Sequence, residues 1–77
     1  MSELDRIRWH CRRGLLELDL VLSKFLERCL PTMDAADIEA FKRLLEHSDN
    51  HLWDLVSHRA EIEDPAESRV LERLRRL

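Results

Sequence analysis

The sequence holds one glycine, two prolines, two cysteines and no tyrosine in 77 residues. Such scarcity of glycine and proline excludes a sheet joined by many tight turns, because those turns depend on the left-handed freedom of glycine and the fixed φ of proline. Cys11 and Cys29 form no CxxC pair and no framework spacing. Neither a zinc site nor a disulfide scaffold is indicated, and a reducing compartment is the simpler setting. No basic segment followed by an apolar run opens the chain, and no stretch approaches the roughly 18 apolar residues of a membrane span. A signal peptide and direct membrane insertion are therefore not expected. The net charge is -3. This argues against a nucleic-acid partner, since phosphate binding needs a basic face and usually a basic balance.

What is present is 44% hydrophobic and 38% charged residues, a mixture that suits a compact helical bundle and is too apolar for disorder. A chain of this length supports one core, so residues 1–77 are expected to form a single domain. Domains of this size bury only about 60% of their unfolded surface, which leaves little room for a deep substrate pocket beside the core. Function is expected on the surface. Arginines gather at both ends, as Arg6, Arg8, Arg12 and Arg13 and as Arg73, Arg75 and Arg76, which raises the prospect of a shared basic face.

Hydrophobic spacing predicts five helices in an all-α, antiparallel arrangement. Ser2 and Asp5 form a plausible cap for a first helix over Glu3 to Arg13, with Leu4, Ile7 and Cys11 on one face. A second, central helix over Leu15 to Leu30 presents Leu15, Leu18, Leu22, Phe25, Leu26 and Cys29, and Pro31 stops it. Asp34 caps a third helix that reaches Glu46 and turns Ile38, Phe41, Leu44 and Leu45 inward, with Met33 and Ile38 placed as a hydrophobic staple. Ser48 or Asp49 caps a short fourth helix over Asn50 to His58 carrying Leu52, Trp53, Leu55 and Val56. The clearest start signal is Asp64-Pro65-Ala66-Glu67, opening a fifth helix to the C-terminus with Val70, Leu71, Leu74 and Leu77 inward.

Chemistry-bearing residues are few. His47 and His51 have helical metal-ligand spacing, but Ser48 and Asp49 interrupt the helix between them and no third ligand is well placed, so a metal site is not expected. His10 and Cys11 are adjacent and point about 100° apart on a helix, which rules out a base–nucleophile pair. Cys11 shares the face of Ile7 and reads as a small core residue, and Trp53 likewise reads as core. Trp9 stands off that face between Arg8 and His10 and has two readings, an interface anchor or a residue packed on the last helix. No pair of titratable groups has the spacing that acid–base or covalent catalysis needs, so an enzyme is not expected.

The segment Arg12-Arg13-Gly14-Leu15-Leu16-Glu17 carries two readings as well. In the first, Gly14 bends the chain between two helices, Arg12 and Arg13 answer the dipole of the first and Glu17 that of the second. In the second, the turn holds a cation and an anion together on a protruding corner, ready for complementary charges on another protein.

At these residues the sequence resembles the SdhE family of assembly factors for the succinate dehydrogenase flavoprotein, whose signature is an RGxxE motif. The string that carries the likeness is Arg6-Ile7-Arg8-Trp9-His10-Cys11-Arg12-Arg13-Gly14-Leu15-Leu16-Glu17-Leu18-Asp19, and it continues through Phe25-Leu26-Glu27, Phe41-Lys42-Arg43-Leu44-Leu45-Glu46 and Asp49 to Leu52-Trp53. The resemblance implies a five-helix bundle and a chaperone-like role. The factor would bind the flavoprotein subunit and promote covalent attachment of FAD to a histidine of that subunit, with the fumarate reductase flavoprotein a second client. Arg13, Gly14 and Glu17 would form the docking motif, with Arg8, Trp9, Arg12 and Asp19 beside it. The flavin belongs to the partner, since no glycine-rich strand-turn-helix for a dinucleotide occurs in this chain. A monomer in the bacterial cytoplasm is the expected free form. Two other classes stay open at this point: a nucleic-acid-binding regulator, suggested by the arginines of the first helix, and a generic helical adaptor or antitoxin-like partner.

Overall fold

The computed structural model describes residues 2–77. Five helices follow one another: α1 (Glu3–His10), α2 (Leu16–Arg28), α3 (Ala35–Leu44), α4 (Asp49–Val56) and α5 (Pro65–Arg75), with a single 3-10 turn at Leu30–Thr32 between α2 and α3. No strand occurs among the described residues, so the chain is an all-α bundle as its patterning predicts.

The caps behave as their side chains require. Ser2 and Asp5 form a reciprocal capping box, and the carboxylates of Asp34 and Asp64 accept from the N–H groups of Asp37 (2.8 Å) and Glu67 (3.0 Å). Ser48 resolves the ambiguity before α4, its hydroxyl accepting from His51 N–H at 3.2 Å. Asp49 is thereby left free for another partner. The N-cap of α2 is Leu15, which offers no side-chain acceptor.

One cluster of buried side chains runs through all five helices: Ile7 from α1, Leu18, Leu22 and Phe25 from α2, Ala40, Phe41 and Leu44 from α3, Leu52, Leu55 and Val56 from α4, and Val70, Leu71 and Leu74 from α5. Phe25 and Phe41 meet at its centre with ring centroids 4.7 Å apart, a tilted pairing that adds about 0.5–1.5 kcal/mol to the area they bury. Ion pairs between α3 and α5 show their relative direction. Asp37 near the start of α3 faces Arg69 and Arg73 of α5, while Arg43 near its end faces Asp64 and Glu67, so α3 and α5 run antiparallel. Glu3 at the start of α1 pairs with Lys42 of α3 at 2.8 Å, and just past the end of α1 the Arg13 guanidinium reaches the Leu45 carbonyl at the cap of α3.

Several predicted boundaries are too long. The second helix ends at Arg28 and not Leu30, and Pro31 sits inside the 3-10 turn, where its missing N–H costs nothing. The third ends at Leu44, two residues before Glu46. The fourth ends at Val56 because His58 is left-handed (φ 67°) and closes the helix in the manner usually reserved for glycine. Leu4 and Leu77, expected inward, are exposed, and Leu15, Leu26, Cys29, Ile38 and Trp53 lie partly buried on the rim of the core.

Arg75 is an unexpected structural element. Its side chain is 5% exposed, with Nε donating to Leu55 O (2.9 Å) and a terminal nitrogen to Ala60 O (3.0 Å), while Glu61 and Glu72 balance its charge. Arg75→Ala is expected to lower unfolding free energy by about 2 kcal/mol, because two carbonyls lose a charged donor in a poorly hydrated site. Urea denaturation followed by circular dichroism checks this.

Candidate functional site

The residues singled out by the sequence all lie where α1 hands over to α2. The first helix stops at His10, three residues short of the predicted Arg13, with Cys11 as its cap. The reason lies in α2. A continuing helix would need Arg13 N–H to bond within α1, but that group donates instead to Asp19 Oδ1 at 2.7 Å, and Gly14 N–H donates to Asp19 Oδ2 at 3.2 Å. One carboxylate from the first turn of α2 therefore organises the corner that precedes it. Gly14 has φ +81° with nothing within 4 Å of where a Cβ would stand, so the glycine is needed for its backbone conformation and not for space. It makes the turn between the helices instead of closing the first one.

Arg13 does not protrude. Its side chain is 13% exposed, and Nε donates to Asp49 Oδ1 at 2.7 Å. The remaining nitrogens donate to the carbonyls of Leu45 (2.5 Å), His10 (3.2 Å) and His47. The picture of Arg13 and Glu17 as a paired exposed cation and anion is corrected accordingly: Glu17 is exposed, and Arg13 is turned into the protein. Arg13, Arg73 and Arg75 do not join one basic face either. Arg13 is held before α4 and Arg75 after it, opposite ends of a helix about 12 Å long, and Arg73 is engaged by Asp37 and the Thr32 hydroxyl.

Around this anchored corner the other residues are open. Arg8, Arg12, Gly14 and Glu17 are exposed. Trp9 is 66% exposed, which decides its two readings against packing on the last helix. On α2, Leu16 is 72% and Leu20 57% exposed. The arrangement follows from helical geometry: Trp9 lies two residues from buried Ile7, and Leu16 and Leu20 lie two residues on either side of buried Leu18, so each points about 160–200° away from the core. Arg8 shares a shallow cleft with Ser23, Leu26 and Glu27, which places the end of α1 beside the C-terminal half of α2. Arg8 and Trp9 on α1, Arg12 in the connection, and Leu16, Glu17 and Leu20 on α2 are thus exposed side chains on either side of Gly14. Sequence reasoning missed Leu16 and Leu20, although both stand off the Leu15, Leu18, Leu22 stripe. It also missed Asp49 as the partner of Arg13, for which the signal was weak, since either Ser48 or Asp49 could have capped α4.

Chemistry within the chain is limited. No group of three or more histidine, cysteine or acidic side chains suited to a metal occurs among the described residues. His47 and His51 do meet, in a tilted pairing with ring centroids 4.8 Å apart, and His47 faces Glu67. Burial pushes the Cys11 thiol up from 9.0 to about 12, against the pull of nearby Arg13 and with a further upward push from Asp19. Cys11 is therefore a neutral core side chain. No helix among the described residues is long and apolar enough to cross a membrane.

The chain matches the family described as flavinator of succinate dehydrogenase over residues 5–77. A protein of Pseudomonas putida named FAD assembly factor SdhE is 40% identical to it, over 91% of this chain and 83% of that protein. Proteins of the same name from Methylococcus capsulatus and Pseudomonas aeruginosa are 39% and 43% identical, covering 100% and 82% of this chain and 93% and 75% of their own lengths. No solved structure matches the chain.

Two outcomes are expected from the geometry. Gly14→Ala should cost roughly 1 kcal/mol through its backbone alone, and Gly14→Asn less, since asparagine tolerates the left-handed region; chemical denaturation measures both. Cys11 should resist alkylation in the native protein while Cys29, which is partly exposed, reacts, as peptide mass mapping would show. Because the folded thiol titrates above the unfolded one, the Cys11 contribution to stability is complete below pH 9.0 and is lost as pH rises toward about 12. Cys11→Ala should remove that part of the pH dependence.

Proposed function

Since the chain belongs to the SdhE family of succinate dehydrogenase flavinators, we propose that it binds the flavoprotein subunit of succinate dehydrogenase and promotes covalent attachment of FAD to a histidine of that subunit. The fumarate reductase flavoprotein is a second client on the same reading. The observation that carries the proposal is the family match across residues 5–77, and the geometry supplies a surface for the binding step.

That surface is the outer side of α1 and α2 around Gly14. Arg8, Trp9, Arg12 and Glu17 offer the flavoprotein an aromatic anchor and charges of both signs, Gly14 lets the chain approach closely, and Arg13 and Asp19 hold the corner in place. Trp and Arg dominate the energetics of interfaces because each buries a large area while keeping a polar or charged contact. The chain acts as a binding partner and not as a catalyst, with no flavin site of its own; the flavin and the acceptor histidine both belong to the client. Docking then favours the client conformation in which histidine and isoalloxazine are already aligned, so that proximity lowers the barrier. The free protein is a monomer and works in the bacterial cytoplasm, where the client apoprotein is available.

Co-expression with a flavoprotein subunit, read by in-gel flavin fluorescence, tests the reading. Trp9→Ala and Glu17→Ala should each weaken client binding roughly tenfold and lower covalent flavin, as interface anchors do. Their exposed positions should keep unfolding free energy within about 0.5 kcal/mol of the parent. Normal flavinylation with both variants would sink the assignment of this surface.

A further inference from the structure

We propose that Asp49 is a positioning residue for the docking corner, acting through Arg13, and that Arg13 works from inside the protein instead of across the interface. The inference rests on the docking surface proposed above and deepens it.

A guanidinium has five N–H donors. In Arg13 the Nε hydrogen goes to Asp49, and the terminal nitrogens serve the carbonyls of His10, Leu45 and His47, so each nitrogen is already engaged within the chain. Gripping a partner carboxylate with the paired donors of the guanidinium would break these bonds and leave helix-end carbonyls unsatisfied beneath the surface. Three of the acceptors are backbone atoms that no substitution removes. Asp49 is the one side chain among them and the one full negative charge. It is available because Ser48 has taken over the capping of α4.

Arg13 is held twice: Asp19 fixes its main chain and Asp49 fixes its side chain. From that residue the backbone passes to Arg12 on one side and to Gly14, Leu16 and Glu17 on the other, all exposed. The first helix has few other ties, with Ile7 and Cys11 buried and an exposed pair between Glu3 and Lys42. The Arg13 side chain is therefore what refers the docking corner to the end of α3, through the Leu45 carbonyl, and to α4, through Asp49 across 36 positions.

The test uses the full chain and a purified flavoprotein subunit with FAD, with affinity measured by calorimetry and covalent flavin by fluorescence, at a temperature where every variant is folded. Asp49→Ala should weaken binding roughly tenfold, and Asp49→Asn, which keeps an oxygen acceptor, should stay within about threefold of the parent. The Arg13→Ala/Asp49→Ala double variant should bind no more weakly than Arg13→Ala, since both remove one interaction. Amide hydrogen exchange at Arg13 and Gly14 should accelerate in Asp49→Ala while core amides of α3 and α5 keep their protection. Arg75→Ala, which loosens the other end of α4, should bind as the parent does.

Parent-like binding by Asp49→Ala together with loss in Arg13→Ala would overturn the proposal and make Arg13 a direct contact. Equal losses in Arg75→Ala and Asp49→Ala would also overturn it, because general destabilisation would then suffice. Failure of the parent itself to bind either flavoprotein would remove the function reading and the positioning role with it, a result separable from the others because it appears before any substitution is made.

Discussion

The Arg13 guanidinium solves a problem that short helices create for themselves. Each helix C-terminus leaves backbone carbonyls without partners and with a partial negative charge, and a bundle of short helices has many such ends for its size. Arg13 gathers a carbonyl from the last residue of α1, one from the cap of α3 and one from the loop before α4, and adds the carboxylate of Asp49. A lysine has the charge but lacks the planar fork that serves several acceptors at once. Without this arginine, carbonyls of three chain segments that meet at one corner would each need another donor.

Arg75 repeats the device at the far end of α4, joining Leu55 and Ala60 carbonyls beneath a cover of Glu61 and Glu72. The eight-residue α4 is too short to persist on its own, since isolated helices under about 12 residues are marginal in water. Its apolar residues Leu52, Leu55 and Val56 attach it to the core, and the two arginines fix where it begins and ends. Two of the most buried charged side chains in the chain thus act on main-chain atoms, which explains how a core with no buried polar residue can sit beside them.

The helices were legible because their signals are local. Ser2, Asp34 and Asp64 cap within three residues of themselves, and the Leu18, Leu22, Phe25 and Val70, Leu71, Leu74 stripes follow the helical period. The ends were less legible, since what stops α1 is Asp19, nine residues beyond His10, and what stops α4 is a left-handed histidine that no propensity predicts. The location of the candidate site was also readable, through the string from Arg6 to Asp19, but the division of labour within it was not. The distant acceptors that hold Arg13 inward lie 32 to 36 positions away, and no periodicity carries that information.

This division bears on how a chain with no evident catalytic group can still accelerate a reaction in its partner. A docking surface selects one client conformation only to the extent that it is itself defined, because every degree of freedom frozen on binding subtracts from the affinity that drives the selection. Trp9, Leu16 and Leu20 give the surface apolar area but nothing in their own neighbourhood to orient it, since they point away from the core. Orientation has to come from beneath, through Asp19 on the main chain and Asp49 on the Arg13 side chain. On the proposed function, the arginine of the RGxxE motif then contributes to flavinylation by lowering the entropy cost of docking, and the chemistry stays with the flavoprotein.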